Sequence, residues 1–224
     1  MEKYISKKEK ASYGFAAVGS YMVAGITQSY LMYFFTDILI IPSAFVMMLM
    51  IVARAWDALN DPMMGVIVDR TSTKYGKMRP YVLVGSFLML VTTIVLFMPL
   101  TGAPTMFKMI FAAVSYIIFG MAYTLTDVPA MGLMSVATPN SDERASLLSF
   151  YVTVGSVGSL LPVGLLTIFQ SFIPEKYVYF AMSIFVGIIT SAAYLTLFKN
   201  SKERFSTHTE KIAVRDMIKA AGKN

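Results

Sequence analysis

Five stretches of this chain contain no charged residue at all: 11–36, 80–107, 109–126, 145–174 and 177–198. Phe, Met, Leu and Ile dominate them. A helix needs about 20 consecutive apolar residues to cross a bilayer. These runs supply that length, so the chain reads as an all-α, multi-pass membrane protein. Composition agrees. Hydrophobic residues make up 56% and charged residues 14%, where a soluble domain carries about 25% charge. No cysteine is present, which excludes a disulfide framework. The first apolar run is too long for a cleaved signal, and Thr36-Asp37 is no small-residue cleavage site.

Punctuation divides the chain into six spans, expected over 12–37, 43–68, 80–100, 106–137, 145–170 and 177–198. Pro42-Ser43 opens the second, since proline suits a helix start. Pro99 with Thr101-Gly102-Ala103-Pro104, then Pro139-Asn140-Ser141-Asp142, then Pro174-Glu175 break the later ones apart. Residues 1–198 are thus one six-helix transmembrane bundle, and 199–224 a cytoplasmic linker tail. Within that tail, "EKIAVRDMIKAAGKN" reads as a short amphipathic helix or a solvated end. His208, the only histidine, stands in it without a metal cluster.

Basic residues set the orientation. They gather before span one (Lys3, Lys7, Lys8, Lys10), after span two (Arg70, Lys74, Lys77, Arg79), after span four (Arg144) and in the tail. In a six-span topology these all share one side. Lys108 and Lys176 are the basic residues of the other side, and Arg54 lies within a span. Both termini are therefore expected in the cytoplasm, with lipid around the spans. The net charge of +6 follows from this asymmetry and points away from nucleic acid.

One span breaks the apolar rule. "RAWDALNDP" places Arg54, Asp57 and Asp61 inside span two. Charged side chains at mid-membrane cost about 2.5–3.5 kcal/mol each and mark functional sites by default. At 100° per residue the three fall within an arc of about 60°. They are expected to face the bundle interior, with Asn60 on the flank. "AYTLTDVPA" in span four adds Asp127, with Tyr123 and Thr124 on the same face. Pro62 and Pro129 follow these acids and free the carbonyls of Ala58 and Leu125. Carboxylates, amide or hydroxyl oxygens and free carbonyls are ligands for a small hard cation. One arginine against three carboxylates leaves about two negative charges, which Na+ or H+ would ease. A structural pair of Arg54 with Asp57 accounts for one acid, not three.

"GVIVDRTSTKYGKMRP" joins spans two and three. Gly65 is expected to admit a close helix neighbour, and the basic residues to face the cytoplasm. This Gly-x-x-x-Asp-Arg pattern resembles the signature loop of the major facilitator superfamily. The longer block "ARAWDALNDPMMGVIVDRTSTKYGKMRPYVL" resembles one branch of it, the glycoside–pentoside–hexuronide:cation symporters. "SYGFAAVGS", "YLMYFFTDI" and "AYTLTDVPA" fit the same branch, and the similarity extends over roughly residues 12–220.

The resemblance implies a twelve-helix fold of which this chain is the N-terminal half. It implies that Asp57, Asp61, Asn60 and Thr124 hold the coupling cation (Na+, Li+ or H+, with no other cofactor). It implies that Asp127, with Tyr123 nearby, binds sugar, and that Arg54 pairs charge. Gly65, Asp69, Arg70, Gly76 and Arg79 match a cytoplasmic latch loop between the halves. Three positions depart from melibiose permease-like members. Tyr21, beside Ser20, stands where span one would carry an acid. "SFYVTVGS" offers no arginine in span five. Ala130 and Met131 replace an aromatic pair. These departures speak against a galactoside and leave the cation site intact.

The expected function is a cation-coupled secondary transporter of a sugar or glycoside in the bacterial cytoplasmic membrane, not an enzyme. No phosphate-cradling loop or nucleophile–base set is present. The sequence stops inside what would be the linker to span seven. The isolated chain is therefore expected not to transport. The other half would be a separate chain, lost by truncation, or replaced by self-pairing of this one, since such halves carry a three-plus-three repeat. "YFFTDI" against "YTLTDV" is the one internal similarity. Two alternatives stay open: a non-transporting remnant or assembly partner, and a transporter of an amphipathic, lipid-like molecule suited to Met-rich walls.

Overall fold

The structure, a computed structural model, describes residues 4–205. The expected tail helix and His208 lie outside them. Six helices follow in order: α1 (Lys7–Tyr33), α2 (Ser43–Arg70), α3 (Arg79–Leu96), α4 (Thr105–Ala137), α5 (Ser141–Gln170) and α6 (Glu175–Asn200). Among the described residues the helices form one all-α bundle. A π-helical segment, Phe34–Ile38, continues α1. Boundaries fall within five residues of those expected, because proline and capping residues mark them. Pro42, Pro104 and Pro174 precede α2, α4 and α6. Ser6 caps α1 by accepting from the Glu9 amide, and Asn140 caps α5 by accepting from the Asp142 and Glu143 amides.

Five of the six helices are long and apolar enough to cross a membrane; α1 is the exception. Its serines, glycines, Thr27 and Gln28 lower its hydropathy. The reason lies in its neighbours. α1 packs along α5 and α6, so much of it faces protein rather than lipid. Small residues permit this closeness. A Cβ on Gly158 of α5 would come within 2.8 Å of the Val18 carbonyl of α1, and one on Gly25 within 2.6 Å of the Ser159 carbonyl. The outward surface is apolar, as lipid requires. Met48, Ile51 and Leu59 on α2 and Val157 and Leu160 on α5 are all exposed.

Helix pairing displays the repeat that the sequence barely shows. α3 packs along α6, while α1·α6 is matched by α4·α3 and α1·α5 by α4·α2. Exchanging α1–α3 with α4–α6 maps these main pairings onto one another, while α5·α6 and α4·α5 have no such counterpart. The similarity of "YFFTDI" and "YTLTDV" does not mark this relation. Asp37 lies in the exposed π-helical end beyond α1, bonded to Thr36, and Asp127 lies well inside α4. Lys108 is buried in the first turn of α4 and donates to the Leu39 carbonyl at 2.9 Å.

The buried apolar side chains form two clusters. One holds Met22, Phe34, Leu49, Met89, Phe119, Phe97 and Val186. The other holds Tyr13, Met64, Val82, Leu133, Leu147 and Tyr194. Between them, at mid-height, the helices carry polar residues: Ser20 on α1, Arg54 to Asp61 on α2, Thr124 to Asp127 on α4 and Thr190 on α6. The bundle therefore has a polar layer sandwiched between two apolar ones. That layer positions the site.

Candidate functional site

A cavity of about 450 Å³ opens in the polar layer. Arg54, Asp57 and Asp61 line it from α2, Tyr116, Tyr123, Thr124 and Asp127 from α4, and Thr27 and Gln28 from α1. Helices α2 and α4 run through Pro62 and Pro129 without ending. The i, i+3, i+7 spacing of the α2 charges puts them on one face, as the sequence requires. That face is not sealed. The Arg54 side chain is 70% exposed and Asp57 33%. Their ion pair is loose, at 3.9 Å, and contributes little.

Asp61 is held more firmly. Thr124 Oγ1 donates to its Oδ1 at 2.8 Å, which ties α2 to α4. Gly120 makes room beside Asp57, whose Oδ1 lies 3.2 Å from where a Cβ would stand. Among the described residues no three His, Cys, Asp or Glu side chains gather as a metal site. The α2 acids meet a hydroxyl instead of a third acid. Asn60, expected with them, does not line the cavity. Its amide nitrogen is buried without a hydrogen-bond partner.

Asp127 faces the same cavity with different company. Ser20 Oγ donates to its Oδ1 at 2.7 Å and Tyr194 OH to the same oxygen at 3.3 Å. Ser20 and the Tyr123 hydroxyl are 3.1 Å apart. Helices α1, α4 and α6 thus converge on one carboxylate. The Tyr151 hydroxyl, from α5, is buried beside the same carboxylate. No cation pairs with Asp127 among the described residues, whose ion pairs are Arg54–Asp57 and Arg204–Glu9. Ser20, Tyr151 and Tyr194 were not foreseen as neighbours of this acid. Ser20 and Tyr194 lie 107 and 67 residues from it in sequence, and a hydroxyl in an apolar run gives no signal of which helix it will meet. Tyr21, at the position where an acid is expected, turns toward α5. It packs against Tyr151 edge-on at 6.3 Å and against Gly155.

The α2–α3 loop carries the residues expected to latch onto another half. Asp69 and Arg70 are exposed and form no ion pair among the described residues. Among the described residues a Cβ on Gly65 would meet nothing within 4 Å, so no helix of this bundle packs close there. The loop is instead tied to the segment after α6. The Glu203 carboxylate accepts from the amides of Lys77, Met78 and Arg79 at 2.8, 2.9 and 3.0 Å. It therefore sits on the N-terminus of α3, a natural seat for an anion. Gly76 makes this possible. Its φ is +104°, and a Cβ there would collide with Glu203. Arg79 donates to the Phe198 carbonyl at 2.7 Å and lies over the Phe198 ring. Next door, Arg204 grips buried Glu9 through two bonds of 2.9 and 2.8 Å. The Glu9 hydrogen bonds raise the Arg204 pKa further, so this guanidinium stays charged wherever the protein folds.

Long apolar helices around an acid-lined polar layer define a multi-pass membrane protein with a central polar cavity. Residues 12–224 match the model of the MFS/sugar transport protein family, and the chain belongs to that family. It is 32% identical to "Uncharacterized symporter YjmB" of Bacillus subtilis over 97% of its length and 49% of that relative. It is 31% identical to "Putative glycoside/cation symporter YagG" of Escherichia coli over 90% of its length and 44% of that protein. It is 28% identical to "Isoprimeverose transporter" of Lactiplantibacillus pentosus over 96% and 46%. Two of these relatives are named as symporters, one of them for glycosides and cations, and the third as an isoprimeverose transporter. The chain spans about half the length of the curated relatives it matches.

Proposed function

We propose that this bundle is the N-terminal half of a cation-coupled sugar or glycoside symporter. The coupling ion, Na+, Li+ or H+, is held by Asp57 and Asp61, with the Thr124 hydroxyl beside them, and Asn60 joins them by turning in from outside the cavity lining. Arg54 offsets part of the negative charge. Sugar hydroxyls are bound at Asp127, with Tyr123 nearby. The loop of Gly65, Asp69, Arg70, Gly76 and Arg79 faces the cytoplasm, as do both termini, and meets the other half there. Residues 1–198 form the membrane unit and the tail after them leads onward.

One observation carries this reading: three carboxylates from two helices line a single cavity in the polar layer between two apolar clusters. Intramembrane acids are costly and persist where they serve ion or substrate pathways. In transporters of this kind, such sites lie near the midplane, at the interface between repeats. The printed names of the relatives, a glycoside/cation symporter and an isoprimeverose transporter, support the cargo class. A second six-helix half would close the cavity. The mechanism is alternating access. A bound cation neutralises part of the acid cluster, sugar then binds at Asp127, and the halves rock around the loaded site.

The test is accumulation in vesicles holding this chain together with a half equivalent to the rest of its relatives. An imposed Na+ or proton gradient is expected to drive glycoside uptake above the external concentration, and dissipating the gradient to abolish it. Uptake that merely equilibrates, whatever the gradient, would count against cation coupling.

A further inference from the structure

We propose that the ends of α3 and α6 beside the α2–α3 loop form a seat for the headgroup of an anionic phospholipid. Basic side chains gather there: Lys74 and Lys77 in the loop, Arg79 at the start of α3 and Lys199 in the last turn of α6. Helices α3 and α6 pack along each other, so these cations share one end of one helix pair. The seat lies outside the cavity and is independent of the sugar and cation readings above.

Two aromatic rings organise the cluster. Tyr75 of the loop meets Phe198 of α6 edge-on, with ring centres 5.9 Å apart. Lys74 Nζ lies over the Tyr75 ring at 5.0 Å, and the Arg79 guanidinium over the Phe198 ring at 4.9 Å. Both cations are thereby held at the rings, while Lys74, Tyr75 and Lys199 stay exposed. The neighbouring acid is engaged elsewhere. Glu203 accepts from the backbone amides of Lys77, Met78 and Arg79. None of these basic side chains forms an ion pair among the described residues. Arg79 donates to the Phe198 carbonyl, and its Nε is buried without a partner. Positive charge that only fixed the orientation of the spans would need no rings beneath it and no carboxylate turned away from it.

A phosphodiester matches this arrangement. It brings a negative charge and acceptor oxygens to cations that have neither. Basic clusters at the cytoplasmic ends of spans attract anionic lipid, and tyrosine suits the headgroup level. Further along the same two helices the surface is apolar. Val84, Phe87 and Val91 of α3 and Ile188 of α6 are exposed and offer a wall for acyl chains. A soluble phosphate would gain nothing from that wall.

Native mass spectrometry of the 224-residue chain, released from mixed micelles, tests the seat. Phosphatidylglycerol and phosphatidylcholine with identical acyl chains are offered in equal amounts. The chain is expected to retain the anionic lipid at least about threefold more. Lys74→Gln with Lys199→Gln is expected to remove that preference. Lys7→Gln with Lys8→Gln takes the same charge from the same end of the bundle and is expected to leave it unchanged. All four lysines are exposed, so both variants are expected to keep the helical circular dichroism of the parent. Equal retention of the two lipids would overturn the proposal. So would a preference that survives Lys74→Gln with Lys199→Gln, or one lost equally in the other variant. Glycerol 1-phosphate in about a hundredfold excess is expected not to displace the lipid; displacement would show that the anion alone suffices and overturn a lipid as the occupant.

Discussion

Asp61→Asn is expected to raise the cation concentration needed for half-maximal binding by about a hundredfold. The substitution keeps the side chain's size and its capacity to accept from Thr124 Oγ1 at 2.8 Å, but removes the charge. A charge–charge interaction of about 3 kcal/mol, modest for a partly enclosed pair, corresponds to that factor. Thr124→Val separates the two contributions. It preserves volume and removes the hydroxyl that fixes Asp61. Losing one hydrogen bond to a charged group costs about 1.5–3 kcal/mol; Asp61 is exposed, which puts this one at the lower end, so an effect of about tenfold is expected, with the charge still present. Trp56, one residue from Asp57, gives the readout. If Asp61→Asn leaves cation dependence unchanged, the ligand assignment on α2 is wrong.

The largest effect on stability is expected outside the membrane. Glu203→Ala removes the acceptor for three backbone amides at the start of α3. It also severs the link between the α2–α3 loop and the end of α6. Charge-assisted bonds are the stronger kind, but they are not additive. A loss of about 2–4 kcal/mol is expected, read as a fall of about 5–10 °C in the midpoint of thermal unfolding in detergent. Glu203→Gln, which retains an acceptor oxygen and loses the charge, is expected to fall between. Gly76→Ala should mimic Glu203→Ala, since a Cβ at φ +104° would displace the carboxylate. An unchanged midpoint in Glu203→Ala would show that the clasp contributes nothing.

The contrast between these two regions explains what could be read in advance. The spans were legible because proline and charge-free runs are local signals, and Pro42, Pro104 and Pro174 stand where expected. The acids were legible because a charge inside an apolar run is conspicuous. Thr124 was placed on the right face by spacing alone. Their partners were not legible. Ser20, Tyr151 and Tyr194 are unremarkable hydroxyl residues whose meaning depends on which helices meet. Glu203 and Arg204 look like the start of a polar tail, yet Glu203 reaches amides more than 120 residues away. Gly65 and the pair Asp69–Arg70 drew notice through their motif, and within this bundle they touch little. Helix α1 was read as a span by its lack of charge, while its small and polar residues serve packing on α5 and α6.

We propose that the α2 acids bind a cation. Calorimetric titration of Na+, Li+ and pH against the purified chain in nanodiscs tests it most directly, with the Asp57→Asn, Asp61→Asn double variant alongside. One saturable cation per chain, competed by protons and absent from the double variant, is the predicted result. Saturable binding that persists in the double variant with the same stoichiometry would contradict it.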